Sequence, residues 1–206
     1  NNWFGIFWPT NSCNTAMKIG LFFGSFNPIH AGHLIIANYM ATYTGLDQVW
    51  LVVSPHNPLK EKESLVHTYD RLEMVRLAID DTENLRVCDV EFQLPQPSYT
   101  IDTLTHLKAK YPEHNFNLIM GSDNLASLKK WKNYEILLRD YHIMVYPRRG
   151  TELPELATHP SVSITETPIM ELSATFIRQA IKDKKSIRFF VPDSVIEFIE
   201  SKSLYS

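Results

Sequence analysis

A chain of 206 residues with 44% hydrophobic and 21% charged residues has an ordinary globular composition and the length for one large domain or two small ones. A formal net charge of −3 leaves no basic field for a nucleic-acid partner. No stretch approaches the roughly 18 to 20 apolar residues of a membrane helix, so no membrane association is expected. The two cysteines, Cys13 and Cys88, lie far apart outside any CxxC motif, which excludes a disulfide framework and a zinc site and points to a reducing cytoplasm.

Residues 1–16, NNWFGIFWPTNSCNTA, are aromatic, broken by Pro9 and several asparagines, and lack a positive start. They are read as a disordered leader and not as a signal peptide, with an aromatic docking tail as the alternative; the folded part is expected to begin at Met17 and run to 206 as a single domain. Strands are predicted at 18–23, 49–53, 85–90, 116–120, 142–146 and 162–165, several as continuous apolar runs suited to burial on both faces. Helical spacing recurs between them, in Leu34, Ala37 and Met40, then in Leu72, Val75 and Ile79, then in Ile101, Leu104, Lys108 and Tyr111. Beyond residue 172 it returns in Phe176, Ile177, Ala180 and Ile181, and behind Pro192 in Val195, Ile196 and Ile199. Strand alternating with helix predicts an open, doubly wound parallel α/β sheet, in which ligands bind beyond the carboxyl ends of the strands.

The first strand runs at that edge into GSFNPIHAGH, residues 24–33. Gly24 permits a sharp turn and Pro28 sets the chain direction. His30 and His33, three apart in an early helical turn, face one region, with Gly32 between them offering no obstruction. A helix start has unsatisfied N–H groups and partial positive charge, so the pair suits phosphate oxygens, although the spacing alone also fits an ordinary exposed pair. A second such place is Ser173-Ala174-Thr175-Phe176-Ile177-Arg178, with a capping serine, a hydroxyl and an arginine able to reach the same helix end; alone, it also fits a capped helix with a solvated arginine. The runs KKWK and KDKK are read as solvated faces, and His67, His106, His114, His142 and His159 share no metal-ligand spacing.

The blocks GSFNPIHAGHL, SYTIDTL (98–104), GSDNLASLKKW (121–131), LSATFIR (172–178), FFVPDSVIEFI (189–199) and LY (204–205) follow one another as in bacterial nicotinate-nucleotide adenylyltransferases, members of the HxGH nucleotidyltransferase superfamily, and the chain resembles that family from 18 to 205. It departs from the pattern at Phe23, Ser25, Asn27 and Arg149, and in a shortened segment at 54–60 that leaves no role for His56. The resemblance implies a Rossmann-like nucleotidyltransferase fold and attack of nicotinate mononucleotide on the α-phosphate of ATP, with Mg2+ screening the triphosphate. It implies His30, His33 and Arg178 as catalytic residues, joined by Gly24, Ser25, Phe26, Gly121, Asp123, Ser173 and Thr175 around ATP. For nicotinate mononucleotide it implies Asn27, Lys60, Tyr99, Thr100, Trp131 and Arg148, with Trp131 stacking on the pyridine ring and the helix start at Tyr99 and Thr100 meeting its carboxylate. Trp131 also fits a half-buried packing residue, and Asp123 a helix cap ahead of Asn124. The alternatives are phosphopantetheine or nicotinamide mononucleotide as acceptor, or an idle nucleotide sensor; the oligomeric state is left open.

Overall fold

The computed structural model describes residues 16–55 and 65–206. Six strands, β1 (Lys18–Gly24), β2 (Gln48–Val53), β3 (Leu85–Cys88), β4 (Asn115–Gly121), β5 (His142–Tyr146) and β6 (Val162–Ile164), form one sheet in the order β3-β2-β1-β4-β5-β6. Every pairing is parallel. Seven α-helices are described: α1 (Ala31–Tyr43), α2 (Thr68–Ile79), α3 (Thr100–Lys110), α4 (Ser122–Ser127), α5 (Tyr134–Asp140), α6 (Ala174–Lys182) and α7 (Asp193–Ser201). This is the doubly wound order in which the connections reverse direction between β1 and β4, opening a crevice at their carboxyl ends.

The sheet is a partition between two apolar layers. Phe22, Val49, Leu51 and Val53 face one core with Met40, Met74, Val75, Ile177, Val195 and Ile199 of α1, α2, α6 and α7. Ile19, Leu21, Val52, Leu118 and Ile143 face the other, with Leu104, Leu107, Leu125 and Leu137 of α3, α4 and α5. Burial on both sides explains why β2 reads as the unbroken run Val49-Trp50-Leu51-Val52-Val53, every residue of it buried.

The expected strand at 85–90 ends at Cys88, and Val90–Gln93 turns as a 3-10 helix. The reason is Glu91. Its carboxylate is buried and accepts hydrogen bonds from Ser98 Oγ at 2.9 Å and Thr103 Oγ1 at 2.8 Å, drawing the chain off the sheet toward the start of α3. In α2 the inward stripe is Arg71, Met74, Val75 and Ile79, with Arg71 fully buried where the sequence pattern had placed Leu72. Helices α4 and α5 are too short for an apolar stripe to announce them.

Candidate active site

At the end of β1 the chain crosses Ser25 to Pro28 and reaches His30, the N-cap of α1, in extended conformation (φ −150°, ψ 170°). The sequence reading assigned the sharp turn to Gly24; in the structure Phe26 takes the left-handed conformation (φ 44°). Gly24 serves instead as the floor for the Phe26 ring, since a Cβ there would stand 2.8 Å from Phe26 Cζ. The ring meets Phe22 and His33 edge-on, with centroids 6.0 and 5.1 Å away.

His30 lies just outside the helix, where the spacing had placed it in the first turn; only His33 belongs to α1. The two rings stack, centroids 3.7 Å apart and 27° from parallel. Gly32 makes this possible, because a Cβ there would approach His30 Cε1 and Nδ1 to 3.1 Å. The backbone N–H of His30 donates to His33 Nδ1 at 3.3 Å, which leaves the proton of a neutral His33 on Nε2. Burial, helped by the positive charge of Arg148, pulls the His30 pKa from 6.5 to about 4, so this imidazole is neutral at physiological pH. Its buried Nδ1 makes no hydrogen bond among the described residues.

Facing the histidines is the start of α6. Ser173 caps it, its Oγ accepting from Phe176 N–H at 3.2 Å while its own proton remains to donate. Arg178, one turn on, points back: Nη1 donates to Asn27 O at 2.8 Å and Nη2 to Thr175 Oγ1 at 3.2 Å. A second guanidinium comes from beyond β5, where Arg148 donates through Nη2 to Tyr146 Oη at 3.2 Å and pairs through Nε with Asp123 Oδ1 at 3.2 Å. Ser25, Phe26, Asn27, His30, His33, Arg148, Ser173, Thr175 and Arg178 all line one cavity of about 300 Å3. Two arginines, two imidazoles, the hydroxyls of Ser25, Ser173 and Thr175 and a helix N-terminus converge on it, a donor set for a polyanion.

The pattern of the cytidylyltransferase-like family matches residues 21–180. A curated relative from Flavobacterium johnsoniae, described as "Probable nicotinate-nucleotide adenylyltransferase", is 53% identical over 92% of this chain and 99% of its own length. Another of the same description, from Bacteroides fragilis, is 47% identical over 88% of this chain and 90% of its own. The chain belongs to the nicotinate-nucleotide adenylyltransferase family. At the level of fold, the nicotinic acid mononucleotide adenylyltransferase of Plasmodium falciparum, solved as a complex with NaAD, superimposes with a TM-score of 0.77 at 19% identity, covering 92% of this chain and 97% of that one.

Within this family frame, Gly24, Gly121, Asp123, Tyr99, Thr100 and Trp131, also expected from the sequence, are not among the described residues that line the cavity. Gly121, at the end of β4, has no room for a side chain: a Cβ would collide with Asp123 Oδ1 and stand 2.9 Å from Arg148 Nε. Asp123 is in the first turn of α4, whose N-cap is Gly121, so the capping role considered for it does not hold; its carboxylate steers Arg148. Tyr99 is the N-cap of α3 and Thr100 its first residue, and no side chain of Tyr99 caps the N–H groups there. Lys132 reaches the same helix start, 2.8 Å from Asp102 Oδ2 and 4.7 Å above the Tyr99 ring, which brings its neighbour Trp131 to that end of the sheet. Trp131 packs partly buried against the core, as the packing alternative anticipated, and its Nε1 makes no hydrogen bond among the described residues. Lys60, His56 and residues 1–15 lie outside the described residues.

Two residues that brace the loops around the cavity escaped the sequence reading. Arg71 is fully buried and donates to the carbonyls of Ser25, Ser54, Pro55 and Val66 and to Thr68 Oγ1, tying the loop after β1 to both ends of the connection between β2 and α2. Its position on the inward stripe of α2 was the available signal, since arginine is almost never fully buried without partners. Tyr205 had been noted only within a family block; its hydroxyl donates to Asn27 Oδ1 at 2.8 Å. Among the described residues, no group of three or more His, Cys, Asp or Glu could hold a metal ion, and no helix is long and apolar enough to cross a membrane.

Proposed function

We infer that the protein transfers the adenylyl group of ATP to nicotinate mononucleotide, giving nicotinate adenine dinucleotide and pyrophosphate in NAD biosynthesis. The observation that carries this reading is the convergence of the stacked His30–His33 pair, the α6 start and Arg178 on one cavity, in a chain 53% identical to curated relatives of that description.

The nucleophile is a phosphate oxygen that is already anionic, so no general base is required: a bond forms from that oxygen to the α-phosphorus while the bond from the α-phosphorus to the pyrophosphate oxygen breaks. Catalysis then rests on alignment and on donors held in place for the charge that develops. His33, with Nδ1 occupied by a backbone N–H, offers Nε2–H to the transferring phosphoryl group. His30 contributes a neutral imidazole beside it. Ser173, Thr175, Arg178 and the N–H groups of α6 take the β- and γ-phosphates, while Ser25, Phe26 and Gly24 shape the floor and Gly121 and Asp123 hold Arg148 against the substrates.

The lining is rich in cations and neutral donors, which fits a Mg2+ that arrives on the triphosphate with nucleotide oxygens and water as its ligands. Bound there, the metal would screen charge on the leaving pyrophosphate. For the second substrate, the α3 start at Tyr99 and Thr100 offers N–H groups and a hydroxyl, a preference for a ring carboxylate over a carboxamide, with Trp131 beside it for the pyridine ring. Asn27, Lys60 and Arg148 complete the reading for the mononucleotide phosphate. The test is pyrophosphate release from ATP and Mg2+ with nicotinate mononucleotide, nicotinamide mononucleotide or phosphopantetheine, with products identified by mass. Release with the first substrate alone is expected; release with none would leave an idle nucleotide sensor.

A further inference from the structure

Tyr205 follows α7 and does not line the cavity, yet it reaches the loop that does. The device that turns it inward is the end of α7. Leu204 N–H donates to Ile199 O at 3.0 Å and Ser203 N–H to Glu200 O at 3.1 Å, with Ser203 left-handed at φ 50°. This double bond pattern stops the helix and reverses the chain. The helix itself is held on α2 by Ser194 Oγ to Leu77 O at 3.1 Å and by Lys202 Nζ to Asp70 Oδ1 at 3.3 Å. Leu204 and the Tyr205 ring then pack against the core.

The phenol is therefore delivered from a rigid base. Burial pushes its pKa upward, so it stays a protonated donor across the working pH range. Its acceptor, Asn27, is itself buried, and Oδ1 also accepts Val66 N–H at 3.3 Å. On its backbone side, Asn27 O accepts Arg178 Nη1 at 2.8 Å. A chain of short contacts thus runs from Tyr205 Oη through one residue to the guanidinium that lines the cavity, and the Tyr205 link to Asn27 Oδ1 is shorter than the one from Val66 N–H to the same oxygen.

We propose that Tyr205 is a positioning residue for the reaction: by fixing Asn27 it holds the carbonyl that aims Arg178 at the triphosphate of ATP. This rests on the nucleotide reading of the cavity. Tyr205→Phe removes the hydroxyl and keeps the ring, so the packing of Leu204 and Tyr205 should survive, with a melting temperature lower by no more than a few degrees.

The test is calorimetric binding of ATP with Mg2+ to the full chain and to Tyr205→Phe, Asn27→Ala and the double variant, with turnover of nicotinate mononucleotide followed in parallel. Loss of one hydrogen bond in the chain predicts about 5- to 10-fold weaker ATP binding for Tyr205→Phe. In the Asn27→Ala background the same change should cost less than about twofold, because the route to Arg178 is already cut. Should Asn27→Ala fail to fold, Asn27→Leu removes the acceptor at similar volume, and there too the Tyr205→Phe change should cost less than about twofold. Unchanged ATP binding in Tyr205→Phe overturns the proposal, as does an equal loss with and without the Asn27 side chain. Weakened ATP binding together with absent turnover would sustain the role of Tyr205 and sink only the nicotinate reading; an unmodified chain that binds no ATP would sink both.

Discussion

Lowering the pH should unload a specific part of the stability of this protein through His30. The ring is 5% exposed, and its pKa is displaced from 6.5 to about 4, first by burial and then by the charge of Arg148. Above pH 6.5 the ring is neutral whether the chain is folded or unfolded, and the stability is complete. Below it the unfolded chain takes up a proton that the folded site refuses, so stability falls until the folded group also protonates near pH 4. At about 1.4 kcal/mol per pH unit the whole loss is ~3 kcal/mol, of which ~2 kcal/mol disappears between pH 7 and pH 5. Urea unfolding of the unmodified chain and of His30→Asn, followed from pH 7.5 to 4, measures it. Carboxylates titrate in both proteins and cancel in the difference, so the curves should converge by ~2 to 3 kcal/mol as the pH falls. Parallel curves would refute the claim that a buried neutral imidazole stands at the N-cap of α1.

Arg71→Met should cost ~3 kcal/mol or more in urea unfolding, because it strips the donor from four carbonyls gathered around a fully buried side chain; a loss under ~1 kcal/mol would mean that the loops hold one another without it. Ser173→Ala removes the side-chain cap of α6 and should lower stability by ~1 kcal/mol, while raising KM for ATP through loss of the hydroxyl proton. An unchanged KM would place the triphosphate away from this helix end.

The alternating pattern of apolar strands and helical stripes sufficed for the doubly wound sheet, because strands buried on both faces must be apolar throughout and the helices that cover them must carry a stripe. It failed where a single polar group redirected the chain. Glu91 ends β3 two residues early through bonds to Ser98 and Thr103, partners 7 and 12 positions away that no local pattern connects to it. The histidine pair, the capped helix at Ser173 and Arg178 were legible in the sequence as groups at helix starts because a cap and its neighbours are written in a few consecutive residues.

What tertiary structure alone decided is how those local pieces are aimed. That His30 is neutral follows from its burial and from Arg148, 118 positions away and brought alongside by β5. That Gly24 and Gly32 are seats for the rings of Phe26 and His30 depends on stacking that no spacing rule contains. Asn27 joins Val66, Arg178 and Tyr205 from three separate parts of the chain, and Arg71 joins four loop carbonyls. Burial and long-range hydrogen bonds depend on what folds against a residue, so sequence identified the donor groups that line the cavity and the fold set their charge, orientation and reach.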